Sequence, residues 1–231
     1  MMKTLIIVSC FNNSRTTNHM SMLCLDHIRK FTDKGEYSLV VVDPITKFTI
    51  RDDYHTLDLE GDDCCWLQTE NDPGYTKGMN IGASFFVDHE ILVFIQNDVF
   101  VREGWLRDLR WYIENGWEAV WPDQVPRDRE YILNTYKRDM DDLESLKGGR
   151  DAGLLMITRK AFERTRGWNE KLGLLAESDF FQRMGKAGVK YTDTNKVLIT
   201  HVMAATNLEL MDKNPAEYDR RMKEDANKLN G

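Results

Sequence analysis

Carboxylates and one histidine stand at the ends of apolar runs in this sequence. Asp43 follows the run 38–42, Gln96-Asn97-Asp98 follows the run 91–95, and His201 follows the run 197–200. Glu177 and Asp179 open a helical stretch, and Arg183 lies four residues beyond Asp179, on the same helix face. A carboxylate at a strand end beside a cleft can hold a divalent cation that bridges phosphate oxygens. Imidazole with carboxylate suits Mn2+, and carboxylate suits Mg2+. A carboxylate near a hydroxyl can take its proton while the oxygen attacks. Each residue also has a plain structural reading. Asp43 before Pro44 and Asp98 are turn residues, Glu177 and Asp179 complement a helix dipole, Arg183 is their ion-pair partner, and His201 is a satisfied polar residue at a strand end.

The elements that must position these groups follow from the hydrophobic pattern. Residues 5–10 form a β-branched apolar run, as expected of a strand buried on both faces. The polar stretch 11–17 supplies turn and cap residues, and Met20, Leu23, Cys24 and Ile28 then recur at helical spacing. Residues 38–42 are a second buried strand, 66–68 a short third, and 91–95 a fourth. Asn71-Asp72-Pro73-Gly74 is a turn. Helices are expected from Tyr75 onwards, around Trp105–Ile113, over 159–166 and 177–188, and from Pro215 to the end. Residues 119–121 are short and extended, 122–150 a long loop, and 154–158 and 197–200 further strands. Trp66, Trp105 and Trp111 are expected in the core. Strands alternating with helices imply a parallel, doubly wound α/β sheet, which binds ligands beyond the carboxyl ends of its strands.

The 231 residues carry 31 Lys+Arg and 38 Asp+Glu, a net charge of −7, with 42% hydrophobic and 30% charged residues. That composition suits one globular domain and disfavours disorder, collagen, coiled coil or a general nucleic-acid coat protein. No apolar stretch approaches the roughly 18–20 residues of a membrane span. Four cysteines without metal or redox spacing, and no secretory leader, point to reduced thiols in a cytoplasm, or in a host cytoplasm if the source is viral.

Gly-x-Gly-x-x-Gly is absent after the first strand and Gly-x-x-x-x-Gly-Lys-Ser/Thr is absent throughout, which argues against dinucleotide oxidoreductases and P-loop NTPases. The ordered series is Asp43, Asn71-x-x-Gly74-x-x-x-Gly78-x-Asn80-x-Gly82, Gln96-Asn97-Asp98, Gly153, Gly167-Trp168-Asn169-Glu170, Glu177-Ser178-Asp179, Arg183 and His201. Over about residues 4–201 it resembles the GT-A glycosyltransferases, specifically glycosyltransferase family 2. The resemblance implies a nucleotide-diphospho-sugar transferase fold: a Rossmann-like, mostly parallel central sheet flanked by helices. It implies one catalytic domain over 1–206, with a nucleotide-binding half at about 1–100 and an acceptor half at about 101–206, followed by a charged helical tail over 207–231.

By the same resemblance, Ser9, Phe11, Asn12 and Arg15 form the first nucleotide-contacting loop. Asp43 meets the base or ribose, and Asn71, Gly74, Lys77 and Asn80 lie along the ribose and diphosphate. Gln96-Asn97-Asp98 stands where the family has Asp-x-Asp, so Asn97 and Asp98 face the donor, and Asp98 with His201 would hold Mn2+ or Mg2+. Glu177-Ser178-Asp179 with Arg183 matches the acidic box that supplies the base, with Glu177 favoured and Asp179 as the alternative. Gly153, Trp168, Asn169 and Arg183 fall on the acceptor side. Trp168 either stacks on the acceptor or packs in the core.

The implied activity is transfer of a hexosyl or pentosyl group from a nucleoside diphosphate sugar to an acceptor hydroxyl, with inversion and a divalent cation. The acceptor is a glycan or polysaccharide, or a hydroxylated DNA base as in phage-type modification, for which loop 122–150 offers six basic residues among seven acidic ones. The alternatives are a catalytically degenerate nucleotide-sugar-binding protein and a nucleotidyltransferase. The latter would want a glycine-rich basic loop after the first strand, and residues 11–17 contain no glycine.

Overall fold

A computed structural model describes residues 2–10, 15–45, 63–71, 73–126, 153–202 and 214–230. Eight strands form one sheet in the order β3-β2-β1-β4-β7-β6-β8-β5. They are β1 (Thr4–Ser9), β2 (Ser38–Pro44), β3 (Cys64–Thr69), β4 (Ile91–Gln96), β5 (Val99–Phe100), β6 (Ala119–Pro126), β7 (Leu154–Thr158) and β8 (Tyr191–His201). The helices are α1 (Arg15–Lys30), α2 (Tyr75–Ala83), α3 (Trp105–Glu114), α4 (Arg159–Thr165), α5 (Ala176–Lys186) and α6 (Pro215–Asn230).

The first four strands in sequence form the parallel half, with β1 between β2 and β4 and β3 outside β2. β1 and β2 are buried along their whole length, as their unbroken β-branched runs require of strands covered on both faces. Alternate residues feed two cores. On one face Ile6, Val8 and Val41 meet Leu25 and Ile28 of α1 and Leu106 and Leu109 of α3. On the other, Leu5, Ile7 and Val40 meet Met79 of α2, Phe162 of α4 and Phe180 of α5. β7 runs antiparallel between β4 and β6, and β8 lies parallel to β6.

The chain departs from the sequence pattern in the second half. β6 extends to Pro126 and β8 starts at Tyr191, because the two strands pair along their length across a register shift between Pro122 and Asp123. The outer part of β8 is largely exposed, so it lacks the apolar run that marks a buried strand. β5 has only two residues, too few to show a period. Trp105 is buried, but Trp111 is 50% exposed on the outer face of α3, with the Lys196 ammonium over its ring. Among the described residues no helix is long and apolar enough to cross a membrane.

Candidate functional site

The sheet register assembles the site. Ser9 pairs with Val42 on one side and Gln96 on the other, so Ser9, Asp43 and Gln96 leave the same edge of the parallel half. Beyond Gln96 the chain turns through Asn97-Asp98 into β5, which pairs antiparallel with the end of β8 and places Val99 opposite His201. The Val202 N–H donates to the Asp98 carbonyl at 3.0 Å, fixing that crossing. Gly153 closes the edge: the Gln96 N–H donates to its carbonyl at 2.8 Å.

A continuous polar chain results. Gln96 Nε2 donates to Glu177 Oε1 at 2.7 Å, and Gln96 Oε1 lies 3.2 Å from His201 Nε2. Asp98 Oδ1 is 3.3 Å from the same Nε2, and His201 Nδ1 is 2.8 Å from Gln124 Oε1. A carboxylate accepts only, so Gln96 must turn its NH2 to Glu177 and its carbonyl to His201. His201 is fully buried and Asp98 and Gln124 nearly so. Cys24 and Cys10 flank this edge. Burial, then the charge of Asp98, pushes the Cys24 thiol up, and burial, then Asp43, does the same to Cys10. Both shifts favour the thiol over the thiolate, the form that attacks.

Gly153 is a fit condition for His201. A Cβ there would stand 2.8 Å from His201 Nδ1 and 2.9 Å from both His201 Cε1 and Val99 Cγ2. Gly153→Ala is therefore expected to displace the imidazole and destabilise the fold by about 1–3 kcal/mol, the usual range for overpacking. Chemical denaturation measures the loss, and the imidazole NMR resonances report the shift.

Glu177 and Asp179 take different partners. Glu177 reaches the sheet edge through Gln96, whereas Asp179 is held by Arg183, with Nε at 2.8 Å. Arg183 Nη1 also donates to the carbonyls of Thr165 and Gly167, both at 2.6 Å. Arg183 thus clasps α5 to the turn after α4. Trp168 is 2% exposed, stacked on Phe180 with centroids 4.2 Å apart, and it lies in the core with no ring face in the cleft. Asn80 brackets the Trp168 backbone, donating to its carbonyl and accepting from its N–H, both at 2.9 Å. Gly78 and Gly82 let α2 lie against β1, since a Cβ at either would collide with Ser9 or Ile7. Asn97 donates to Ser21 Oγ at 2.7 Å, tying the turn to α1. Asn169 accepts from the Lys171 N–H at 3.2 Å and shapes the loop before α5. Asn71 and Lys77 are exposed, and Gly74 takes a φ of 74° as the N-cap of α2. Asp43 is buried. Phe11, Asn12 and the Arg15 side chain lie outside the described residues, as does most of the stretch 122–150.

Gln124 escapes a reading of the sequence, and Gln96 enters it with no role of its own. Gln96 carries no charge, and only its place before Asn97-Asp98 draws notice. Gln124 sits in a stretch with Pro122 and Pro126 that reads as loop, with no local signal.

Among the described residues no three His, Cys, Asp or Glu side chains converge as a metal cluster. Asp98 Oδ1 and Gln96 Oε1 nevertheless both lie within 3.3 Å of His201 Nε2, which brings two oxygens to one nitrogen. That donor chemistry fits Mn2+, with the metal in place of the Nε2 proton.

No protein-family profile and no curated protein matches the sequence. Solved structures do. A mannosyltransferase from Pyrobaculum calidifontis, in complex with GDP-mannose and Mn2+, aligns with a TM-score of 0.67 at 17% identity over 91% of this chain and 60% of its own. TarS of S. aureus, residues 1–349, aligns with a TM-score of 0.60 at 16% identity over 98% of this chain and 71% of its own. GalNAc-T7 with UDP, GalNAc and Mn2+ aligns with a TM-score of 0.64 at 14% identity over 87% of this chain and 44% of its own. The chain thus spans 60% of the first of these and less than half of the last. At such identities the likeness speaks to architecture, and the mixed eight-stranded sheet with its flanking helices is the GT-A fold.

Proposed function

We propose that this protein is a glycosyltransferase that moves a sugar from a nucleoside diphosphate sugar to an acceptor hydroxyl, with inversion at the anomeric carbon. The observation that carries the reading is the Glu177–Gln96–His201–Asp98 chain at the carboxyl edge of a GT-A sheet. Two of the fold's neighbours hold a nucleotide or nucleotide sugar with Mn2+, which supports the same donor class and cation for this chain.

In this reading the donor nucleotide lies over Ser9 and Asp43, and its diphosphate approaches Asp98. Glu177 takes the proton of the acceptor hydroxyl. The oxygen then forms a bond to the anomeric carbon on the face opposite the phosphate, and the carbon–oxygen bond to the phosphate breaks with its electron pair leaving on the nucleoside diphosphate. A divalent cation held by Asp98, His201 and Gln96 would neutralise charge on that leaving group. Arg183, occupied by Asp179 and two carbonyls, supports α5 without touching substrate.

A panel of nucleoside diphosphates with and without Mn2+ tests the proposal. One base is expected to raise the melting temperature, more so with Mn2+. Ligand at a hundredfold excess over its Kd stabilises the folded state by about 2.7 kcal/mol. The absence of any shift, together with no nucleoside diphosphate released from any sugar donor, would sink the reading.

A further inference from the structure

The C-terminal helix α6 carries a buried carboxylate that the sequence pattern assigns to a solvated tail. Asp225 is 4% exposed. Its Oδ2 accepts from the Gly173 N–H at 2.9 Å and the Leu175 N–H at 3.2 Å. One turn later Lys228 Nζ donates to the Lys171 carbonyl at 2.8 Å and lies 3.4 Å from Asp225 Oδ1. These contacts hold the loop that leads into α5. The N-cap of α5 is Leu175, whose side chain can accept no hydrogen bond. The first turn of a helix leaves N–H groups in need of acceptors, and a carboxylate near that end also complements the helix dipole. Asp225 meets from α6 the N–H of the N-cap residue itself, one of those groups, and sets a negative charge beside the first turn that Leu175 does not supply. Glu177 is two residues beyond Leu175, and its 2.7 Å bond to Gln96 depends on where that first turn begins.

We propose that Asp225 is a positioning residue for Glu177, and that α6 is thereby a working part of the site. The proposal rests on the transferase reading above. Its physical basis is that small displacements of a reacting group cost large factors in rate. A merely structural role would lower stability and leave the turnover of folded molecules unchanged.

The test uses the full chain with Asp225→Ala and Asp225→Asn, reading kcat, donor KM and amide hydrogen exchange. Asp225→Ala is expected to speed exchange at 173–177 while β1 and β4 stay protected, and to lower kcat by about tenfold. Donor KM should stay within about twofold, because the donor side is untouched. Asp225→Asn keeps an oxygen for the same two amides and should retain protection and most of kcat. If Asp225→Ala does not fold, Lys228→Met at an exposed position removes the bond to Lys171 and the ion pair with Asp225 while leaving the Asp225 carboxylate on its two amides, and should lower kcat by about two- to threefold. An active wild type whose kcat is unchanged in Asp225→Ala, or in Lys228→Met where that variant stands in, overturns the proposal. Wild type that turns over no donor defeats the transferase reading instead. Unchanged exchange at 173–177 would then show separately that Asp225 does not hold the turn.

Discussion

Glu177→Gln is expected to lower turnover by about 10²–10⁴-fold, the range that a positioned general base contributes. The substitution preserves size, and the glutamine carbonyl can still accept from Gln96 Nε2, which now donates to Glu177 at 2.7 Å. Geometry therefore survives while the proton acceptor is lost. Nucleoside diphosphate binding should be unchanged, so the loss should fall on kcat, with donor KM within about a factor of two. Glu177→Asp shortens the side chain by one methylene and withdraws the carboxylate from Gln96, so an intermediate loss is expected. Asp179→Asn supplies the contrast. It breaks the Arg183 ion pair inside a clasp that also reaches Thr165 and Gly167, so its main effect should be on stability. Single-turnover measurement of nucleoside diphosphate release separates the cases. If Glu177→Gln were as active as wild type and Asp179→Asn inert, the base would be Asp179.

Asp98→Ala is expected to abolish the response to Mn2+ and to lower transfer by about 10²–10³-fold, as loss of a fixed group that stabilises developing charge does. The Asp98 carboxylate faces His201 Nε2 at 3.3 Å. Without it one amide oxygen and one imidazole nitrogen remain, a weak set for a hard divalent cation. The fold should persist, because His201 keeps Gln96 and Gln124 as partners. A stability loss of about 1–3 kcal/mol is the ordinary cost of removing one buried polar partner. Mn2+ binding followed by electron paramagnetic resonance, beside the rate measurement, decides the matter. Retained activity together with a retained Mn2+ response would show that Asp98 does not hold the cation.

The two effects are linked through Gln96. Its amide orientation is set by the Glu177 carboxylate on one side, and this presents the carbonyl to His201 on the other. A change at Glu177 therefore reaches His201 through one side chain. Measured couplings between Glu177 and His201 variants should be non-additive, as for residues sharing one network.

β1, β2 and β4 of the parallel half were legible in the sequence because they are covered on both faces. Residues 5–8, 39–42 and 91–95 are unbroken apolar runs, and burial on two sides leaves no room for polar alternation. The polar groups at their carboxyl ends followed from chain order, so Ser9, Asp43 and Asp98 were found at the edge where the sheet places them. The strands of the second half left weaker marks. β6 and the outer half of β8 are held by pairing with each other rather than by an apolar run, and β5 is too short to show a period.

By its own local pattern the sequence determined the alternation of strands and helices, the parallel core and the carboxyl edge at which Ser9, Asp43 and Gln96 gather. Only the tertiary structure decided what each polar side chain faces. It gave Glu177 to Gln96 and Asp179 to Arg183, two assignments that spacing along one helix leaves open. It put Trp168 in the core, turned Asn80 to the Trp168 backbone, and brought Gln124 to His201 across the β6–β8 pairing. It also drew Asp225 out of an apparent tail and under the first turn of α5. The reason is physical. Periodicity records how much of an element is buried, and burial acts along the chain. A hydrogen bond between residues 50 to 105 positions apart depends on register and on the approach of separate elements, which only the assembled sheet and its helices set.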